Sequence, residues 1–163
     1  METNLMSLKD IKEITFDSHQ DFRGEIFTTY KNSFDNKKFE HDKICIRYKD
    51  CLVGIHGDFN TWKLVSCLYG RVYAVFVDNR PESQDYNKHK TTILSNENKK
   101  AILLPPGIGN SFYVLSDVCV YNYKLSYTGD YTDCDKQFTL IWNDPKYNIH
   151  WPSNNPILSE RDK

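Results

Sequence analysis

Between Leu64 and Leu140 the sequence is cut into short apolar runs, β-branched or aromatic, each closed by turn residues: LVSCLYG, VYAVFVD, AILLPPG, SFYVL, VCVYNYKL and FTLIW. Runs of this length and composition read as strands. No long amphipathic helical pattern separates them, whereas a parallel sheet needs a crossover, usually a helix, between paired strands. The pattern therefore predicts antiparallel pairing in a sandwich or barrel, and it favours an all-β jelly-roll barrel. A chain of 163 residues has enough interior to fold as one such domain without disulfide or metal staples.

Helical signals are weak. SLKDIKEI and part of KNSFDNKKFEHDK have mixed patterns that suit either a turn of helix or plain loop. The polar stretch DNRPESQDYNKHK carries Pro and Asn and predicts a surface loop between two strands of the same barrel. One domain over residues 1–163 is expected, with an arm at about 1–40, a barrel at about 41–145 and a C-terminal segment at 146–163.

Charge narrows the function classes. Lys and Arg number 21 and Asp and Glu 22, so no broad basic field exists to draw in nucleic acid or acidic lipid. Any anionic ligand has to be held by local cations. Cys45, Cys51, Cys67, Cys119 and Cys134 form an odd set without a CxxC pair, which fits reduced thiols in a cytoplasmic protein. The N-terminus lacks the apolar core of a signal peptide, and no apolar run approaches the ~20 residues of a membrane span, so a cytosolic location is expected. Aromatic residues at 14% point to a Tyr- and Phe-lined interior or cleft.

Several positions can carry chemistry. His56 stands in LVGIHGD, where Gly54 and Gly57 remove side chains and let a ligand or a neighbouring strand come close. A histidine satisfied by core or loop hydrogen bonds fits the fragment equally. A metal-binding cupin needs a His-x-His pair, but Asp58 occupies the second position here, which disfavours a first-row metal site. In VCVYNYKL, alternation puts Cys119, Tyr121, Tyr123 and Leu125 on one face and Asn122 and Lys124 on the other, so both tyrosines are expected inside. Lys63 alternates with Val65 and Cys67, which makes it either an inward ammonium or an exposed lysine at a strand start. Asn110, in ILLPPGIGNSF, either caps a turn or points into a pocket. The GIGN segment lacks the strand-to-helix context of a phosphate loop.

Together, DFRGEIF, GIHGD, KLVSCLYGRVYAVFVDNRPES, LLPPGIGNSFYVLSD, YKLSYTGDY, IWNDPKYNIHWP and PILSERD resemble the dTDP-4-dehydrorhamnose 3,5-epimerase family in order and spacing, over about residues 15–162. HGD and the blocks after it look similar to epimerases of Campylobacter-type capsule pathways, which act on GDP-linked 4-keto heptoses. The resemblance implies a cupin-type jelly roll, a homodimer, no metal or other cofactor, and a nucleotide-sugar pocket inside the barrel. It matches His56 to the family's base, Asp162 to the carboxylate that orients it, and Tyr123, before Lys124, to the proton donor. Lys63 matches the lysine beside the keto oxygen, and Arg23 an arginine that contacts the diphosphate across the dimer.

These residue types suit the implied reaction. A C4 ketone acidifies the protons on C3 and C5, and histidine can remove one at neutral pH to leave an enolate. A nearby ammonium stabilises the enolate oxygen, and an acid across the ring returns the proton to the opposite face. Two departures stand out. Family members read RGLH or RGIH before the base, but here Val53 holds the arginine's place, and Arg47 is the candidate replacement cation. Asn110 and Ala74 stand where rhamnose-pathway enzymes have a histidine and an aspartate, and GNS fits the heptose-type enzymes instead. The expected activity is epimerisation at C3 and/or C5 of a GDP-4-keto-heptose. The alternatives are a dTDP-4-dehydro-6-deoxyglucose 3,5-epimerase, a non-catalytic sugar-nucleotide-binding cupin, and a metal-dependent cupin, which the absent HxH argues against.

Overall fold

The structure, a computed structural model, describes residues 8–32, 34–127 and 136–163. One five-stranded sheet has the order β1 (Lys12–Thr15), β9 (Lys100–Leu104), β6 (Trp62–Tyr69), β11 (Val118–Ser126) and β4 (His41–Tyr48). A second five-stranded sheet runs β12 (Phe138–Leu140), β5 (Leu52–Gly57), β10 (Ile108–Val114), β7 (Arg71–Asp78) and β8 (His89–Ser95). Pairing is antiparallel within both sheets. From β4 to β11 the chain crosses from one sheet to the other at each connection except the β7–β8 hairpin, the winding of a jelly roll. A small hairpin, β2 (Ser18–Asp21) with β3 (Gly24–Phe27), pairs with neither sheet.

Each apolar run singled out above lies in or overlaps a strand, and the gaps hold turns. The weak helix signals resolve differently. The end of SLKDIKEI enters Lys12–Thr15, which pairs with β9 as a sheet-edge strand, and in the second segment Phe34 and Lys37 bridge across a tight turn. Neither segment has a sustained 3.6-residue apolar stripe, so a sheet edge and a turn satisfy their backbones better than a helix. Among the described residues the helical pieces are 3-10 turns at Pro145–Tyr147 and Glu160–Asp162. None is long and apolar enough to cross a membrane.

The core fills the space between the sheets. Val72, Ala74 and Phe76 alternate inward from β7 against Val65, Phe112 and Tyr121, all fully buried. The outward face of β7, Val75 and Val77, is covered by Tyr147, Ile149 and Trp151 of the C-terminal segment. Leu64, Ala101 and Leu103 on the outside of the other sheet lie under Ile14, Phe16 and Phe39. Both ends of the chain thus wrap a sheet, which explains why β7 reads as a continuous apolar run instead of an alternating one. After β7, Asp78 pins the polar loop, accepting from the Arg80 guanidinium at 2.7 Å and the Ser83 hydroxyl at 2.7 Å.

Candidate active site

A cavity of about 560 Å³ opens between the sheets. His56 of β5 and Asn110 of β10 enter it from one sheet, Lys63 of β6, Tyr123 of β11 and Arg47 of β4 from the other, and Asp162 from the C-terminal tail.

The tail reaches this place through backbone pairing. Ile157 bridges Cys51 in parallel, exchanging hydrogen bonds with Leu52 and Asp50 at 2.9 and 2.8 Å. The chain then turns through Ser159 and delivers Asp162 Oδ1 to 2.6 Å from His56 Nε2. Asp162 Oδ2 accepts from the Gly54 amide at 3.0 Å and from the Ser159 hydroxyl at 2.9 Å. A Cβ on Gly54 would stand 2.1 Å from Asp162 Oδ1, so only glycine lets the carboxylate lie against β5. Gly57 plays the same part for β12: a Cβ there would meet the Phe138 ring at 2.5 Å. The close approach foreseen around His56 is thus made by the tail and by a neighbouring strand.

Burial works against ionising Asp162. The His56 hydrogen bond and charge, with the donors from Gly54 and Ser159, outweigh it and hold the carboxyl below its ordinary range. The side chain of Asp162 is only 4% exposed, so this stretch of the tail is docked rather than frayed.

Lys63 resolves as the inward ammonium. Its side chain is 6% exposed, and Nζ lies 3.9 Å from Oδ2 of Asp58, itself 5% exposed. Alternation on β11 also holds. Cys119, Tyr121 and Leu125 are buried inward, Tyr123 lines the cavity, and Asn122 and Lys124 both meet Asp42 on the opposite face.

Asn110 is a strand residue opposite His56 in the β5–β10 register, not a turn cap. The Pro-Gly turn closes before it, so its side chain falls on the cavity face of β10. Its Oδ1 accepts from the Tyr121 hydroxyl at 3.2 Å. Tyr121 in turn stacks on Phe112 at 4.1 Å and meets Tyr123 edge-on at 5.0 Å. Burial pushes the Tyr121 hydroxyl well above the ordinary tyrosine range, so it remains a donor.

Arg47 reaches the cavity by another route than a single extended segment. A turn after Tyr48 splits the stretch, β4 and β5 join opposite sheets, and Arg47 and Val53 line the cavity from its two sides. Arg23 does not enter the cavity. It sits at the exposed turn of the β2–β3 hairpin, paired with Asp21. The hairpin pairs with neither sheet, and within one chain Arg23 is not among the residues that line the cavity with His56.

Two cavity residues escaped the reading of the sequence. Lys43 shares the inward face of β4 with Arg47, and alternation alone would have found it. Arg161 lines the cavity beside Asp162, with Nε donating to Thr139 at 3.0 Å. Asp58 and Tyr121 lie outside the lining and act on cavity residues, Asp58 on Lys63 and Tyr121 on Asn110. Among the described residues, four cations, Lys43, Arg47, Lys63 and Arg161, therefore line the cavity beside one carboxylate, Asp162. Cys67 and Cys119 are driven up by burial to about 12 and about 11, which makes them inert thiols. Cys134 lies outside the described residues.

A histidine backed by a buried carboxylate, a phenol from the opposite sheet and a buried ammonium can remove a proton beside a carbonyl, hold the enolate, and return a proton to the other face. The family model of dTDP-4-dehydrorhamnose 3,5-epimerase matches residues 5–163. The Escherichia coli K12 dTDP-4-dehydrorhamnose 3,5-epimerase is 33% identical over 148 residues, covering 82% of this chain and 78% of that protein. A Legionella pneumophila Philadelphia 1 dTDP-6-deoxy-D-glucose-3,5-epimerase, solved with dTDP-4-keto-L-rhamnose, has a TM-score of 0.84 at 30% identity, covering 93% of this chain and 84% of that one. The Bacillus anthracis Ames dTDP-4-dehydrorhamnose 3,5-epimerase, solved with TDP and PPi bound, has a TM-score of 0.87 at 27% identity, covering 99% and 94%. The molecule is a jelly-roll epimerase of the cupin type that acts on nucleotide-linked sugars. Its chain belongs to the dTDP-4-dehydrorhamnose 3,5-epimerase family.

Proposed function

We propose that the protein epimerises C3 and C5 of a dTDP-linked 4-keto-6-deoxyhexose, with His56 as the base. The observation that carries this is the 2.6 Å His56–Asp162 contact, in the same cavity as Lys63 and Tyr123. The ketone already acidifies the neighbouring C–H bonds, so the proton transfers need no redox cofactor. His56 takes the proton, and Asp162 fixes its tautomer and favours the imidazolium that forms. Lys63 holds the enolate oxygen, and Tyr123 protonates the opposite face. Arg47, with Lys43 and Arg161, meets the diphosphate in place of an arginine at Val53. Asn110 contacts the sugar opposite His56.

The choice of nucleotide follows the relatives named above, which carry dTDP-linked names. The second reading, a GDP-4-keto-heptose of the Campylobacter capsule type, rests on Asn110 in GNS and on the displaced cation at Arg47. In a homodimer, Arg23 would serve the second copy's diphosphate. The exposed Ile44, Ile46 and Tyr48 on β4 offer an apolar face for that copy.

Incubation in heavy water with each 4-keto substrate, followed by NMR, tests both readings. Deuterium at C3 and C5 of the dTDP-hexose, at a rate well above that of the GDP-heptose, is the expected result. The reverse preference installs the second reading. No exchange with either, despite tight binding, leaves a sugar-nucleotide-binding cupin. Light scattering of the purified protein checks the dimer.

A further inference from the structure

Lys63 poses a physical problem that the proton-transfer scheme does not answer. An ammonium 6% exposed between apolar strands loses its hydration, and such a lysine tends to shed its proton unless a negative charge compensates. A neutral lysine would give the enolate far less stabilisation. Something has to keep the charge in place before substrate arrives.

We propose that Asp58 is a positioning residue that holds Lys63 charged and aimed into the cavity. Asp58 follows β5 directly, and Lys63 stands near the start of β6, so one short connection carries both partners. Asp58 Oδ1 accepts the backbone amides of Asn60 and Thr61, each at 2.8 Å. These two bonds fix the plane of the carboxylate and stiffen the turn. Oδ2 then stands 3.9 Å from Lys63 Nζ, too far for a hydrogen bond but close enough for a strong Coulomb attraction in a dry setting. The carboxylate thus stabilises the ammonium without taking one of its N–H groups through a direct bond. Its own carbonyl is tied to the Gly107 amide at 2.7 Å, so the turn is also clamped to the loop before β10.

Among the described residues, the other charged groups that line the cavity do not take the place of Asp58. His56 and Asp162 come from β5 and the tail, and Asp162 is committed to His56, Gly54 and Ser159. Lys43 and Arg47 of β4 and Arg161 of the tail are cations, which push the Lys63 proton off. Tyr123 of β11 is a phenol. Among the described residues, Asp58 is the carboxylate paired with Lys63. This role rests on the epimerase reading for its catalytic consequence, but not for the charge state of Lys63.

Asp58→Asn separates the electrostatic role from a structural one. The Asn carbonyl oxygen can accept the same two backbone amides, so the turn and the unfolding temperature should survive while the charge goes. Asp58→Ser, whose hydroxyl also accepts in such turns, is the second variant if the amide disturbs the fold. Two readouts are taken on each. The first is NMR titration of 13C-dimethylated lysines, with Lys63 assigned by its loss in Lys63→Arg. The second is the pH profile of solvent exchange.

Loss of the charge should move the Lys63 titration down by about one to three pH units, the usual effect of one opposite charge at this range. The alkaline limb of kcat should move with it, and kcat at pH 8 should fall about tenfold or more with KM nearly unchanged. In a Lys63→Arg background, where the guanidinium does not titrate, Asp58→Asn should leave that limb where it is. A folded Asp58→Asn whose Lys63 titrates like the parent's overturns the proposal. Absence of exchange in the parent protein would count against the epimerase reading, while the lysine titration would still decide the role of Asp58.

Discussion

Two buried carboxylates serve this cavity, and they reach it in opposite ways. Asp58 belongs to the turn that joins the strand of His56 to the strand of Lys63, so it is fixed as soon as that hairpin-like corner forms. Asp162 arrives from 106 residues along the chain and is held by a short run of tail contacts at Ile157, Ser159 and Gly54. The first cannot leave without disturbing the barrel, whereas the second can undock while the core between the sheets stays intact. Segments with few buried apolar contacts open at lower free energy than the core they rest on. The field at the cation is therefore built into the fold, and the support for the base is conditional on the tail.

The sharpest way to break this contrast is at His56 itself. His56→Asn should reduce solvent exchange by about 10²–10⁴-fold, the range of a lost general base, with little change in unfolding temperature. Gly54→Ala is the next test, because it attacks the tail without removing a polar group. Its Cβ would meet Asp162 at 2.1 Å and must displace it. Exchange should fall about as far as in Asp162→Asn, on the order of tenfold to a hundredfold, and the double variant should lose no more than either single one. Amide exchange at Leu52, which donates to Ile157, should rise in both variants while Val75 in the core stays protected. Equal loss of protection at both places would mean that the tail is part of the barrel's cooperative unit.

The same contrast explains what was legible in the sequence. Runs such as VYAVFVD and SFYVL announce strands because both faces or alternate faces are apolar, a local property. The inward direction of Tyr121 and Tyr123 follows from period-two alternation, another local property, whereas the strand-start position of Lys63 left its direction open. Asp162 has no local signature: a lone carboxylate near a chain end looks solvated until the Gly54 gap that receives it is known. The fragment around Asn110 left turn cap and pocket open for a related reason. Pro105, Pro106 and Gly107 make a turn, but whether Asn110 belongs to it depends on pairing with β5 and β7. Asp58 was read only as the residue that interrupts a His-x-His pair, because its partner Lys63 is reached across the bend of the chain.

Acid should separate the two carboxylates further. The folded carboxyl of Asp162 is held below its ordinary value, so it binds a proton less readily in the docked tail than in a free one. Its contribution to docking is fully present above the ordinary aspartate range near pH 4 and is lost as pH falls through the lower, docked value. Between neutral pH and about pH 5 the tail should therefore remain in place, and lowering the pH further should release it before the core unfolds. Tryptophan near-UV dichroism, which reports the core-packed Trp151, should hold while the Ile157–Leu52 protection disappears. Asp162→Asn should abolish this acid step. A tail that is released at the same pH in that variant would place the sensor elsewhere.

The smallest expected effect lies at Tyr121, which couples both sheets to the cavity without lining it. Its hydroxyl donates to Asn110 across from His56, and its ring lies between Phe112 and the edge of Tyr123. Tyr121→Phe keeps the ring contacts and leaves the Asn110 carbonyl oxygen without this donor. The stability loss should be about 1 kcal/mol, against about 3–5 kcal/mol for Tyr121→Ala, which also empties the stack. With its carbonyl oxygen engaged by Tyr121, Asn110 keeps its NH2 end as a donor. Loss of that constraint should raise KM a few-fold and leave kcat nearly unchanged, because the ring still supports Tyr123. A fall in kcat with an unchanged KM would instead assign the hydroxyl to the placement of Tyr123, and would make the second sheet, not the tail, the more sensitive wall of the site.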